Sequence, residues 1–314
     1  MDKHTFSVLE FYKIKKLLKK RVISAFGEQI VEKIIPLTNL EQILNVQRET
    51  TEMREIILYE GTPPFARLED INSELKKSAI KGIILDAVKI IKILKTLKIS
   101  RLVKKFLLKA GGKYPLIKEK AEKIKTFLKL EEKIIYCIGE DGVVLDRASP
   151  NLKKIRREIA KQEQAIKNKL ESIIKSSHFT TVIQEPIVTI RQSRFVIPIK
   201  QERKGKLPGI IHDKSDSGAT LFVEPFEVVE LNNTLRQLIK DEEREVLKIL
   251  QRLTARIGEK AQDIYYSVLS LGEIDFIYAR AILANRMEAV EPRLNQKGFI
   301  NLFQARHPLL KDYV

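Results

Sequence analysis

The sequence contains no tryptophan, one cysteine and few aromatic residues, 7% in all. Each scarcity excludes something. A lone Cys137 cannot form an internal disulfide, and within the apolar run "IIYCIG" it reads as a small core hydrophobe rather than a reactive thiol. No stretch approaches the ~20 apolar residues of a membrane-spanning helix. The opening "MDKHTFSVLEFYKIKK" carries an early acid and lacks the apolar core of a secretory signal. His4, His178, His212 and His307 lie far apart, in no metal-ligand spacing. No G-x-x-x-x-G-K-[ST] phosphate loop occurs; the nearest string, "KGKLPG", has the wrong spacing. The expectation is a cytoplasmic chain with no catalytic residues, no metal and no cofactor of its own.

Charge, by contrast, is abundant. Charged residues make up 32% of the sequence, and 58 Lys and Arg against 41 acids leave a net charge of +17. That excess points to a polyanionic partner, nucleic acid first. A solvated lysine-rich surface set by genome composition explains the same number, and both readings stay open at this point. The excess is uneven: residues 76–133 hold 18 Lys/Arg and only 5 acids. Much Lys, Glu and Ile also fits a thermophile, as does a biased base composition.

Apolar residues at helical spacing fill most of the chain. Leu9, Ile14, Leu17, Leu18, Val22 and Ile23 open the series; Ser24 can cap a second helix that Pro36 stops. Thr38 or Asn39 can cap a third, ended by Gly61. Residues 68–110 read as helical, and "LIKEKAEKIKTFLKLEEKII" as one more helix. Asp141-Gly142 signals a small ribbon. Ser149 as N-cap with Pro150 at the first position then starts a long helix. Leu152, Ile159, Ile166 and Ile173 recur along it as a heptad seam, joined by Ile155 and Leu170. After residue 225, Val228, Leu231, Leu235, Leu238, Val246, Ile249, Leu253 and Ile257 repeat the pattern, with Glu242 interrupting it once. The two seams predict an antiparallel pair.

Between them lies "IQEPIVTIRQSRFVIPIKQERKGKLPGIIHDKSDSGATLFVEP", β-branched and punctuated by Pro and Gly. It predicts three or four short antiparallel strands, with Pro198 confining its own strand to an edge or bulge. Arg191, Arg194, Lys200, Arg203, Lys204, Lys206 and Lys214 are the candidate nucleic-acid-binding residues, suited to backbone phosphates, with Gly205 and Gly209 permitting close approach. Five acids dilute the cluster, and Phe195 and Phe222 are too few to stack a single strand. "DKSDSGATLFVE" matches a calcium-loop pattern. Serines at its third and fifth positions under-charge it, and Pro225 follows the supposed bidentate Glu224, so the match is rejected.

The strings "GTPPFARLEDI", "GVVLDRASPNLKKIRREI", "RFVIPIKQERKGKLPGIIHDKSDSGATLFVEPFEVVELNN" and "LGEIDFIYARAILANRMEAVEP" resemble the MutS family. The likeness is to its second bacterial type, the anti-recombination and ribosome-rescue branch, and it covers the whole chain. The resemblance implies a mainly α fold: a helical core carrying a long antiparallel helix pair, the lever, tipped by a small antiparallel β clamp. The implied division is a helical core at 1–148, an outgoing lever helix at 149–182, the clamp at 183–225 and a returning helix at 226–264. Further helical core follows at 265–300, then the start of an ATPase domain at 301–314. The chain opens on the core with no mismatch-reading domain and ends before any Walker loop. The resemblance therefore implies the N-terminal portion of a longer homodimeric ATPase with a C-terminal endonuclease domain, ATP and Mg belonging to the absent part. Its implied partners are branched DNA, or ribosomal RNA at collided ribosomes. A structural or dimerising coiled coil with the β tip as an interaction knob is the rival expectation.

Overall fold

The helical spacing of the sequence becomes eleven α-helices among residues 3–309, the part described by the computed structural model. They are α1 (Lys3–Val8), α2 (Phe11–Lys19), α3 (Ala25–Lys33), α4 (Leu40–Glu55), α5 (Asn72–Ser78), α6 (Ala87–Lys109), α7 (Pro115–Glu122), α8 (Leu128–Cys137), α9 (Pro150–Lys175), α10 (Phe226–Gly258) and α11 (Ala261–Arg286). Four strands lie between α9 and α10: β1 (Thr189–Arg191), β2 (Arg194–Lys200), β3 (Gly209–Lys214) and β4 (Thr220–Pro225). The fold is mainly α with one small antiparallel sheet, as expected. The chain divides into two compact units. One comprises the residues up to Ile135 together with those from Leu253 onward; the other is Tyr136–Arg252.

The first unit is built on α11, which is buried on nearly every side and packs against α2 to α7. Leu271, Ile274, Ile277 and Ala281 join Met53 and Ile56, Val103 and Leu107 of α6, and Tyr114, Ile117 and Ile124 in one core. A helix apolar all round belongs in the middle of a bundle, and α11 is there. Its one buried acid, Asp275, accepts hydrogen bonds from the Ile23 and Ser24 backbone nitrogens and from the Ser24 hydroxyl at 2.6 Å. Burial pushes its carboxyl above the usual range, against the pull of those donors. Ser24 also accepts from Gly27 N, so the expected cap of α3 forms and is itself anchored to α11.

Other expected boundaries move. Asn39, rather than Thr38, caps α4, and Gly61 ends it after a wide turn at Ile56–Glu60. The expected helix over 68–110 is two: Gly82 falls in the break, and Asp86 caps α6 by accepting from Lys89 N. The expected helix at 116–135 is also two. Its break at 123–127 is held by the Lys104 ammonium on the Ile124 carbonyl and by Lys125 N on the Ser267 hydroxyl. Asp141-Gly142 makes a turn closed by a single Ile138–Val144 bridge, shorter than a ribbon. The returning helix stops at Gly258 instead of 264, at the weakest helix former in the segment. Residues 301–309, in the expected start of an ATPase domain, form no strand, and 310–314 lie outside the described residues.

Candidate nucleic-acid interface

In the second unit the two seams meet. Leu152, Ile166, Leu170 and Ile173 of α9 are buried, as are Val228 and Leu235 of α10, with Ile159, Leu231 and Ile239 packed beside them. Polar cross-links fix the direction. Ser149 and Asn151 bond Glu245, Arg156 bonds Glu242, Gln162 donates to the Leu231 carbonyl, and Lys169 pairs with Glu227. Partners on α10 fall in number as those on α9 rise, so the helices are antiparallel. At ~1.5 Å per residue α9 is about 39 Å long.

Two expectations are corrected here by long-range partners. Ser149 does not cap α9; its hydroxyl donates to Glu245 at 2.6 Å. That bond holds the Glu245 carboxyl below its usual range, with burial opposing and the Asn151 amide assisting. Glu242, an interruption in the apolar pattern, is the partner of Arg156 at 2.7 Å, and Arg156 also reaches Asp146 at 2.6 Å.

The sheet at the far end of this pair has the order β1-β2-β4-β3, antiparallel throughout. Phe195, Ile197 and Ile199 of β2 and Leu221 and Val223 of β4 turn one face onto Ile166, Leu170, Ile173 and Val228, sharing their core. A small sheet needs such a backing to persist in water. Pro198 does not put β2 on an edge, because β2 is interior. The Pro198 carbonyl accepts from Gln184 N, which turns its donor-free nitrogen toward the irregular 182–184 segment. The ladder to β4 therefore loses nothing.

The sheet also holds a fully buried carboxylate on β4. Glu224 takes Arg194 at 2.7 Å on one oxygen and the His212 Nε2 at 2.6 Å on the other. Arg194 also donates to Asn233, while Asn232 both donates to and accepts from the Phe195 backbone, acting as a strand partner from α10. Glu224 is the twelfth position of the calcium-loop match. Here it holds the β tip together, and residues 213–224 form the β3–β4 hairpin.

The seven candidate residues therefore divide. Arg194 is occupied by Glu224 and Asn233. Arg191 lies over the Phe222 ring, 4.0 Å from its centroid, with Asp213 3.4 Å away. Lys200, Arg203, Lys204, Lys206 and Lys214 have no carboxylate partner among the described residues, and all but half-buried Lys200 are exposed. The register gathers Lys200 and Lys214 at one end of the sheet, opposite Thr220 and Leu221 of β4. The 201–208 loop leaves from the same end. Gly205 has φ +83° with open space around it, so a backbone could approach there. Gly209 serves β3–β4 pairing instead, since a Cβ would strike the Glu224 carbonyl. Charge also continues down the outgoing helix: α9 carries eight Lys/Arg to three acids, whereas α10 carries six of each. Asn232 and Asn233 escape a reading of the sequence; their signal is two amides side by side in an apolar heptad helix. Among the described residues no helix is long and apolar enough to cross a membrane, and no cluster of three or more His, Cys, Asp or Glu could hold a metal ion.

A helical unit, a heptad helix pair and a β tip make up the fold class that the resemblance to the MutS family implies. No protein-family model matches the chain. It is 40% identical over 312 residues to "Endonuclease MutS2" of Alkaliphilus oremlandii, covering 99% of this chain and 39% of that protein. It is 39% identical over 307 residues to the protein of that name from Shouchella clausii, covering 96% of this chain and 39% of the relative. The corresponding Pelotomaculum thermopropionicum protein is 40% identical over 314 residues, all of this chain and 40% of the relative. Along nearly its whole length the chain is similar to proteins of the MutS family's second bacterial type. It spans about two fifths of the length of the curated relatives it matches.

Proposed function

We propose that this region is a nucleic-acid clamp. The helix pair is a strut, and its β tip closes on branched DNA or on ribosomal RNA at collided ribosomes. Contact is to backbone phosphates and is independent of sequence. The observation that carries this reading is the tip itself: a sheet joined to the helix ends by a shared apolar core and the Asn232 and Asn233 hydrogen bonds, bearing five cationic side chains that no carboxylate neutralises. A locked support lets mobile lysines meet phosphate without the sheet rearranging. Control by nucleotide belongs, in this reading, to an ATPase domain outside residues 1–314, which would also hold ATP and Mg. The relatives' name, endonuclease, fits a whole protein that acts on nucleic acid.

Substituting Arg203, Lys204, Lys206 and Lys214 by Gln tests the reading. Binding of a four-way DNA junction and of ribosomes should weaken, and the slope of log affinity against log salt should fall by about 0.9 for each phosphate left without its cation. A slope equal to that of the parent refutes the clamp. Concentration-dependent self-association without nucleic-acid binding, seen by sedimentation, would establish the dimerising coiled coil in its place.

A further inference from the structure

The largest excess of positive charge lies outside the tip, on α6, which has eight Lys/Arg and no acid. Half of these are engaged. Lys89 pairs with Asp86, Lys92 with Glu69 and Glu74, Arg101 with buried Glu131, and Lys104 with the Glu122 and Ile124 carbonyls. The other half, Lys95, Lys98, Lys105 and Lys109, have no carboxylate or carbonyl partner among the described residues. They step by three, seven and four residues, which places them on one stripe of the helix, with half-exposed Leu102 in the gap. The opposite face, Ile90, Ile93, Leu97, Val103 and Leu107, is buried. Thus wherever α6 meets other elements its charges are neutralised, and along its outer stripe they are not.

We infer that this stripe is a second phosphate-binding surface, on the helical unit, and that its ligand is double-helical DNA. The row runs about 21 Å from Lys95 to Lys109 at ~1.5 Å per residue. Lys98 and Lys105 stand about 10.5 Å apart, close to the ~12 Å width of a B-form major groove, so they can meet phosphates on its two walls with Leu102 over the gap. An A-form duplex offers a comparable width only at its shallow minor groove, which is read through 2′-hydroxyls, and the hydroxyl side chains of α6, Thr96 and Ser100, are buried. Phe106, the one aromatic residue of α6, packs inward on the core, so unpaired bases have nothing on the stripe to stack on. Exposed apolar surface on α6 is confined to Leu102 and Val88, too little to insert into a bilayer.

The inference rests on the nucleic-acid reading above but assigns a different surface, and the two separate in one experiment. The full chain, a Lys95/Lys98/Lys105/Lys109→Gln variant and the tip variant are titrated with a mixed-sequence DNA duplex by fluorescence anisotropy. The same-sequence RNA duplex and phosphatidylcholine–phosphatidylserine vesicles serve as the other arms. The stripe variant should show a salt slope shallower by about 3.6, so that its loss of affinity between about 50 and 200 mM salt is about a hundredfold smaller than the parent's. A slope unchanged from the parent overturns the stripe and leaves the clamp standing. Loss in the stripe variant with none in the tip variant supports the stripe as the duplex-binding surface. Absence of duplex binding by the parent overturns the stripe, while the clamp stands or falls on the junction and ribosome titrations above. Tighter binding of RNA than DNA, or binding of vesicles in place of duplex, overturns the assignment to DNA. Lys95, Lys105 and Lys109 are exposed and Lys98 is half-buried, so circular dichroism and melting should match the parent; a Lys98/Lys105→Gln pair, with an expected slope change of about 1.8, covers the case in which four changes disturb the helix.

Discussion

Replacing Glu224 by Ala should loosen the β tip while leaving the helical unit intact. The side chain is fully buried, and both oxygens are used, by Arg194 at 2.7 Å and His212 at 2.6 Å. Removing one member of a buried pair strands the other's charge, at a cost of about 3–5 kcal/mol. The Arg194 side chain keeps 15% exposure and its bond to Asn233, so the lower end, about 3 kcal/mol, applies. That is about a hundredfold in the opening equilibrium. Hydrogen exchange followed by mass spectrometry should show amides of β2, β3 and β4 losing about a hundredfold in protection, with α6 and α11 unchanged. Removing Arg194 as well should cost less than the two single changes together, because the stranded charge is gone. Protection within about threefold of the parent would refute the assignment of Glu224 as the anchor of the sheet. So would a rise in tip stability with added calcium, since that carboxylate cannot serve both partners.

Two further perturbations probe the arm. Ile166→Ala, at a fully buried seam position, should cost about 2–4 kcal/mol in urea unfolding, whereas Ile190→Ala, 53% exposed on β1, should stay within about 0.5 kcal/mol; equal costs would deny the seam. Glu245 titrates below its usual 4.5 when folded, so its contribution is present above that value and is lost as pH falls through the lower folded value. Ser149→Ala removes the main cause, and the difference in melting temperature between pH 7 and pH 3 should shrink; an unchanged difference would show that the Ser149 bond does not set the titration.

What can be read from the sequence is whatever depends on near neighbours. The heptads of α9 and α10, the caps at Ser24 and Asn39 and the strand-rich insert each follow from residues a turn or two apart. What cannot be read depends on partners far along the chain. Ser149 looks like a cap as long as Glu245 is out of view, and Glu242 looks like a defect as long as Arg156 is. The rule that sends Pro198 to an edge assumes regular strands on both sides; an irregular neighbour on one side removes the conflict. Arg194 reads as a phosphate ligand because a buried carboxylate thirty residues away cannot be paired with it by spacing alone.

The chemistry of the two cationic side chains still sorts them. Arg101 bonds Glu131, Arg156 bonds Glu242, Arg194 bonds Glu224 and Arg280 bonds Glu49, each carboxylate buried or half-buried. A planar guanidinium is weakly hydrated and carries fixed donors, so it can be taken into an interior against a carboxylate at lower cost than an ammonium. Lysine, strongly hydrated on a flexible stem, does so at fewer positions, with Lys92 and Lys120 reaching the buried Glu74 and Glu49, and the tip loop and the α6 stripe consist of lysines with Arg203 as the exception. Net charge is thus a poor guide to where a polyanion would bind, because much of the arginine fraction is already used inside the fold. Weighting lysine in exposed loops and on the outer stripe of a helix above arginine next to strands passes over Arg191 and Arg194 and keeps the other five tip residues.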